Sequence, residues 1–418
     1  MSAVDSIRKT IGDTAWFTHD RFGMFIHWGL YALPARHEWI KNIERIKDED
    51  YDKYFKYFNP DLFDASEWAK KAKAAGMKYA VLTSKHHEGF CLFDSKYTDY
   101  KSTNTKFGRD IVKEFVEAFR AEGLKVGFYY SLIDWHHPDF TIDGKHPRRD
   151  DDNIEELNRG RDMARYREYM KNQVTELLTN YGKIDILWFD FSYSAETYKG
   201  MKGKGKDDWD AEELIKTARS LQPDIIINNR TEIEQDIWTP EQYQPEEWIR
   251  DANGQRVVWE ACQTFSGSWG YHRDEATWKS PEQLVRMLIN TVSCGGNLLL
   301  NVGPTARGIF DERADFALEQ IGKWMRLNSR SIYGCTQSEF PASPDVRYTQ
   351  NGKVLYAHIY AYPFVALRLK GLGGEVDYMQ FLHDASEVLW DEDGEDIIVK
   401  LPVVKPNQIV PVIEIFLK

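Results

Sequence analysis

Cysteine is scarce: Cys91, Cys262, Cys294 and Cys335 are the only four in 418 residues, with no CxxC spacing and no regular framework. A zinc ribbon and a disulfide lattice are thereby excluded, and reduced, mostly buried thiols are expected. No apolar run approaches the roughly 18 residues that a membrane span requires. Positive charge is also in deficit, with 54 Lys and Arg against 66 Asp and Glu for a net charge of −12, which argues against nucleic acid as the principal partner. No glycine-rich phosphate loop follows an apolar run; the segment 199–206 lacks both Walker spacing and a preceding strand and is expected to be a flexible surface loop. The first residues carry no basic stretch followed by an apolar one, so no secretory leader is expected and the expected location is cytoplasmic.

What is abundant is aromatic: 14 Trp, 22 Tyr and 22 Phe, within a chain that is 42% hydrophobic and has ample material for a core. Short apolar runs at 23–28, 79–84, 126–131, 184–190, 225–229, 257–260 and 297–302 alternate with amphipathic stretches at 66–75, 111–123, 166–180, 211–221 and 281–292. Such alternation is the pattern of β/α units around a parallel sheet, and an α/β fold of the (β/α)8 type is expected. Only seven strands can be counted, so either one strand escapes the pattern or the barrel is irregular, with a doubly wound open sheet the less favoured alternative. Beyond Cys335 the pattern changes to short runs at 354–360, 365–369, 397–401 and 409–416, separated by Gly, Pro and Asp. A small all-β sandwich is expected there, giving a barrel over 1–338 and a sandwich over 339–418.

In a β/α barrel the reactive groups stand at the C-terminal ends of strands. Here those ends read His27-Trp28, Lys85-His86-His87-Glu88, Tyr129-Tyr130-Ser131, Trp188-Phe189-Asp190, Asn228-Asn229-Arg230 and Trp259-Glu260. Rings beside carboxylates and imidazoles suit a neutral polyhydroxylated ligand, whose apolar face stacks while its hydroxyls are hydrogen-bonded. Both His86 and His87 could reach one metal ion only if the strand has already ended, and without an HxH or HExxH pattern hydrogen bonding to a ligand by one of them is the better reading. Asp190 closes an apolar run, with Trp188 on the same side of the strand, which is the placement of a glycosidic nucleophile. The second carboxyl that such chemistry needs has three candidates, Glu38, Glu241 and Glu260, and spacing does not choose among them.

These segments resemble the retaining α-L-fucosidases. The resemblance is carried by 22–29 (Phe-Gly-Met-Phe-Ile-His-Trp-Gly), 83–90 (Thr-Ser-Lys-His-His-Glu-Gly-Phe), 127–131, 186–190, Trp259-Glu260, 268–271 (Ser-Trp-Gly-Tyr) and 295–304, in order, and covers most of 12–335. It implies a barrel with a C-terminal β module, no cofactor and no metal. It also implies Asp190 as nucleophile and favours Glu241, in Thr239-Pro240-Glu241-Gln242-Tyr243, as acid/base. His27, His86, His87, Tyr129, Trp188 and Arg230 would surround the fucose, with Glu38, Trp39 and Trp269 closing the pocket. Three positions depart from the family pattern: Glu88 where Asp is usual, Ile40 where an aromatic is common, and Phe191 where Gly is frequent. The expected activity is exo-hydrolysis of a fucosylated oligosaccharide or glycoconjugate, with no membrane partner. A fucose-binding protein with a degenerate site, and an exo-glycosidase for a related sugar such as an α-L-galactoside, are the alternatives; one extra hydroxyl is only weakly rejected by an apolar slot.

Overall fold

A computed structural model describes residues 6–418. Eight parallel strands form one sheet: β1 (Phe22–Ile26), β2 (Tyr79–Lys85), β3 (Lys125–Ser131), β4 (Ile186–Asp190), β5 (Ile226–Ile227), β6 (Ile237–Trp238), β7 (Val258–Thr264) and β8 (Asn297–Val302). Their order is β5-β4-β3-β2-β1-β8-β7-β6. A parallel bridge between Asn228 and Ile237 joins the two edges, with Asn229 N–H donating to Ile237 O at 3.1 Å and Asp236 N–H to Ile227 O at 3.0 Å. The strands are apolar runs rather than alternating ones because both faces are covered, by helices outside and by neighbouring strands' side chains within.

β6 is the strand that the sequence pattern did not reveal. It has two residues and follows β5 without an intervening helix, so neither its length nor a β/α alternation marks it. Its start is held by Asp236, whose carboxylate accepts the N–H groups of Ile11 (2.8 Å), Gly12 (2.9 Å) and Ile227 (2.9 Å) and pairs with Arg219.

The expected helices form at Ala65–Ala74 (α1), Ile111–Ala121 (α2), Met163–Asn180 (α3), Ala211–Leu221 (α4) and Pro281–Ser293 (α5), and a further one, α6 (Glu312–Asn328), follows β8. Their starts obey local chemistry. Asp64 accepts the N–H groups of Ser66 and Glu67, while Ser280 and Gln283 cap α5 reciprocally ahead of Pro281. The barrel interior is filled by Phe25, Tyr79, Val81, Tyr129, Ile186, Trp188, Ile226, Val258, Cys262 and Leu299. Gly23 makes room in it: a Cβ there would fall 2.3 Å from the Tyr79 ring.

After α6 the chain becomes antiparallel. β9 (Val346–Asn351), β10 (Val354–Ile359), β12 (Val376–Phe381) and β15 (Val412–Leu417) make one sheet in the order β9-β10-β15-β12. β11 (Ala366–Leu369), β13 (Leu389–Asp393) and β14 (Asp396–Lys400) make the other, in the order β11-β14-β13. Leu355, Leu367, Met379, Ile397, Val399 and Ile413 fill the space between them, as a sandwich requires. Four of the seven strands were visible as apolar runs. β9, β12 and β13 carry too many polar residues to be read as such. The sandwich is fastened to the barrel by Trp324 Nε1–H donating to Val410 O (2.8 Å) and by the Arg330–Glu414 pair.

The segment 199–206 differs from expectation. Lys204 is buried and paired with Asp143, and its ammonium also donates to Thr141 O at 2.9 Å, while Gly205 starts a short helix at Lys206–Trp209. The lysine is thus the anchor of an ordered loop, because its charge is met by the buried Asp143 carboxylate and by Thr141 O. All four cysteines are free and buried. No helix among the described residues is long and apolar enough to cross a membrane.

Candidate active site

A cavity opens at the C-terminal end of the strands, lined by Phe25, His27, Glu38, Trp39, His86, His87, Tyr129, Trp188, Asp190, Phe191, Glu241, Cys262 and Trp269. Ten of the eleven site residues expected from the sequence are among them, and the eleventh, Arg230, binds two of the others. The floor is made of groups carried by β1 to β4 or by the residues just after them. His27 follows β1, and its Nδ1 lies 2.6 Å from Asn301 Oδ1 of β8. Asn301 in turn donates to Trp269 O at 2.6 Å, so one amide orients both an imidazole and the loop bearing an indole.

β2 ends at Lys85, which frees His86 and His87 from strand alternation, and both line the cavity rather than one alone. The Ser131 hydroxyl donates to Ile133 O at 2.7 Å, so it accepts from the protonated Nδ1 of His87, also at 2.7 Å. Nε2 of His87 is then left facing Asp190 Oδ2 at 4.0 Å. Burial, then the neighbouring His27 and Lys85, hold His87 well below the usual imidazole range, so it is neutral. His86 is likewise held down by burial and by the adjacent imidazoles, and its Nδ1 is buried with no hydrogen-bond partner among the described residues.

Asp190 is held by two donors. Tyr129 Oη donates to its Oδ2 at 2.7 Å, and Arg230 reaches its Oδ1 at 3.2 Å. Burial pushes its pKa up, Arg230 opposes, Glu241 adds to the rise and Tyr129 opposes, leaving it at about 6. Arg230 is itself fixed: Nε donates to Thr239 Oγ1 (2.8 Å) and one amino group to Thr239 O (3.1 Å). That amino group also lies 2.8 Å from Glu241 Oε2, and the guanidinium carbon stands 4.9 Å from the Trp188 ring centre. One planar cation therefore ties Asp190 to Glu241.

The three competing carboxyls separate by position. Glu241 lies beyond β6, with its side chain 42% exposed at the cavity mouth. Glu38 is buried on a loop whose Ala35 and His37 have positive φ, and it accepts the Gly270 N–H at 2.8 Å. Burial pushes its pKa up, but the His37 hydrogen bond and charge and the Gly270 N–H bring it below the ordinary glutamate value. Glu260 does not line the cavity. β7 runs on to Thr264, four residues past the end expected from sequence, so Glu260 sits one layer deeper. There it takes hydrogen bonds from Tyr79 Oη (2.5 Å) and Trp188 Nε1 (3.3 Å), with a pKa raised by burial to about 7.

Phe25 and Cys262 line the cavity without having been singled out in the sequence. Phe25 precedes His27 by two residues and so shares its side of β1, a periodicity that would have revealed it. Of the departures from the family pattern, Glu88 is buried away from the rim. It accepts the Leu30 N–H at 2.8 Å and the Tyr51 hydroxyl, bracing the loop after β1. Ile40 is core, and only Phe191 reaches the cavity. Among the described residues no group of three or more His, Cys, Asp or Glu side chains is arranged to hold a metal ion.

The α-L-fucosidase family model matches residues 3–330. The chain belongs to that family. Alpha-L-fucosidase isoenzyme 1 from Paenibacillus thiaminolyticus is 48% identical and superposes with a TM-score of 0.91 over 97% of this chain and 98% of that one. The Bacteroides thetaiotaomicron α-L-fucosidase trapped as a covalent intermediate with 2-fluoro-fucosyl fluoride is 29% identical, with a TM-score of 0.85 over 100% of this chain and 99% of the other. Human plasma α-L-fucosidase is 33% identical over 391 residues, spanning 84% of this chain and 76% of its own.

Proposed function

We propose that Asp190 is the nucleophile and Glu241 the acid/base of an exo-acting retaining α-L-fucosidase. The observation that carries the assignment is the bridge by Arg230 between a deep carboxylate and one at the mouth. Arg230 lies 3.2 Å from Asp190 Oδ1 and 2.8 Å from Glu241 Oε2, so both carboxylates stand beside one cation at the same cavity, the pair of carboxyls that a double displacement requires. The blind floor explains exo action: a terminal sugar enters ring first and the rest of the glycan stays outside. In the first step an oxygen of Asp190 attacks the anomeric carbon while Glu241 gives its proton to the departing glycosidic oxygen. In the second, Glu241 takes a proton from water, which displaces Asp190 and releases fucose with its configuration retained. The neutral imidazoles of His27, His86 and His87 supply directional hydrogen bonds to sugar hydroxyls, and Trp188 and Trp269 supply apolar faces. The trapped intermediate in the Bacteroides relative supports the covalent route.

The test is hydrolysis of aryl α-L-fucoside, α-L-galactoside and β-D-galactoside by wild type and Asp190→Asn in parallel. Release of the aryl group from the fucoside, falling at least about a thousandfold in the variant, is the expected result. Undiminished turnover in Asp190→Asn would remove the nucleophile assignment. Fucose binding without any turnover would favour a binding protein instead.

A further inference from the structure

We propose that Phe191, backed by Trp39, is the platform on which the first sugar of the leaving group stacks. This rests on the fucosidase reading above and extends it to the side of the glycosidic bond that the pocket itself does not hold. The floor residues are almost sealed, with His27 at 5%, His86 at 3% and His87, Tyr129 and Trp188 at 1% exposure. Trp39, Phe191 and Trp269 are half-buried and Glu241 is exposed, so these four make the lip. Whatever fucose is attached to must leave the pocket across that lip, past the residue that protonates it.

Phe191 is held there at a conformational cost. Its φ is +111°, in the region that glycine adopts freely and a bulky residue avoids. Such a backbone persists only where the surroundings over-determine it, and at a site edge it points to function. Here the surroundings are aromatic. The Phe191 ring centre lies 5.4 Å from Trp39, 5.3 Å from His87 at near-perpendicular tilt and 5.7 Å from Tyr193. The Lys145 ammonium, paired with Glu196 at 2.6 Å, stands 5.6 Å from the same ring. A ring fixed on several sides loses little freedom when a ligand lies on it, which is what favours a flat anchor at a binding edge. The partner that fits a flat, half-exposed aromatic beside polar groups is a pyranose presenting its C–H face.

The experiment compares two substrates in each variant: α-L-fucosyl fluoride, whose leaving group has no ring, and a disaccharide of fucose on a hexopyranose. The readout is the ratio of the disaccharide's kcat/KM to the fluoride's. Phe191→Gly, which suits the positive φ, should lower that ratio about tenfold, through a rise in the disaccharide's KM. Phe191→Tyr should keep the ratio within about twofold of wild type, whereas Phe191→Leu, apolar but not flat, should lower it as glycine does. The leucine and tyrosine pair carries the comparison if the glycine variant fails to fold. A ratio unmoved by both Gly and Leu, including an equal fall on both substrates, overturns the platform. Wild type that hydrolyses neither substrate would instead overturn the fucosidase reading.

Discussion

As the proposed nucleophile, Asp190 would have to act as a carboxylate, yet burial holds it at about 6. Protonation below that value removes the nucleophile, so kcat/KM on an aryl fucoside should fall as pH drops through about 6, tenfold per unit thereafter. Tyr129 donates to the ionised form, and such a bond lowers a carboxyl pKa. Tyr129→Phe should therefore move the acid limb to higher pH, and a limb that stays in place or moves down would show that another group sets it. Glu241→Ala should separate substrates by leaving group. An activated aryl fucoside, which needs little proton donation, should lose about tenfold in its glycosylation step, and a fucosyl disaccharide about a thousandfold or more. Equal losses on both would transfer the acid role to another carboxyl, with Glu38 the remaining one in the cavity. Asp190 was readable from sequence because it closes an apolar run beside Trp188. Glu260 was misplaced because an apolar run reports that a strand exists more reliably than where it stops. Trp269, and the choice of Glu241 over Glu38 and Glu260, came from resemblance and not from pattern, since these residues lie on loops whose contacts are set by the tertiary fold.

At the level of elements, the weak place in the ring is the β5–β6 join. Each of these strands has two residues, and a short element cannot hold register through its own ladder. Asp236 replaces that ladder with a carboxylate that gathers three backbone N–H groups and Arg219, at 1% exposure. Asp236→Ala would leave those donors and a largely buried guanidinium without their acceptor, at a cost of about 3–5 kcal/mol. A urea titration should show this as a lower midpoint, and a midpoint within error of wild type would show that the join is held elsewhere. The barrel helices were legible because their amphipathic period and caps are local, as with Ser280, Pro281 and Gln283. β6 was not legible, because its existence depends on a hydrogen-bonding edge and on Asp236 rather than on its two residues. The same reason hid β9, β12 and β13, which are strands by virtue of their partners.

Across the whole molecule, the buried titratable groups set opposing demands on pH. Glu88 and Glu260 are raised by burial to about 7, and Asp190 to about 6. A carboxyl whose pKa is higher folded than unfolded contributes stability below its unfolded value, and that contribution is lost as pH rises through the folded one. For each glutamate the displacement from 4.5 to about 7 corresponds to about 3 kcal/mol, lost by pH 8. Imidazoles push the other way. His27 and His358 are lowered to about 4, and His86, His87, His136, His137 and His146 are lowered too, in every case chiefly by burial. Their contribution is complete above the unfolded value of 6.5 and disappears as pH falls toward the folded values. Below pH 6.5 these seven rings outnumber the three carboxyls, so stability should fall toward acid; above it only the carboxyls still titrate. The melting temperature should therefore peak near pH 6.5, drop steeply toward pH 4 and decline slightly toward pH 8. Glu260→Gln isolates one contributor, since the amide keeps the shape and cannot ionise. The difference in melting temperature between this variant and wild type should grow in the variant's favour from pH 5 to pH 8, whereas a constant difference would show that Glu260 ionises as easily folded as unfolded.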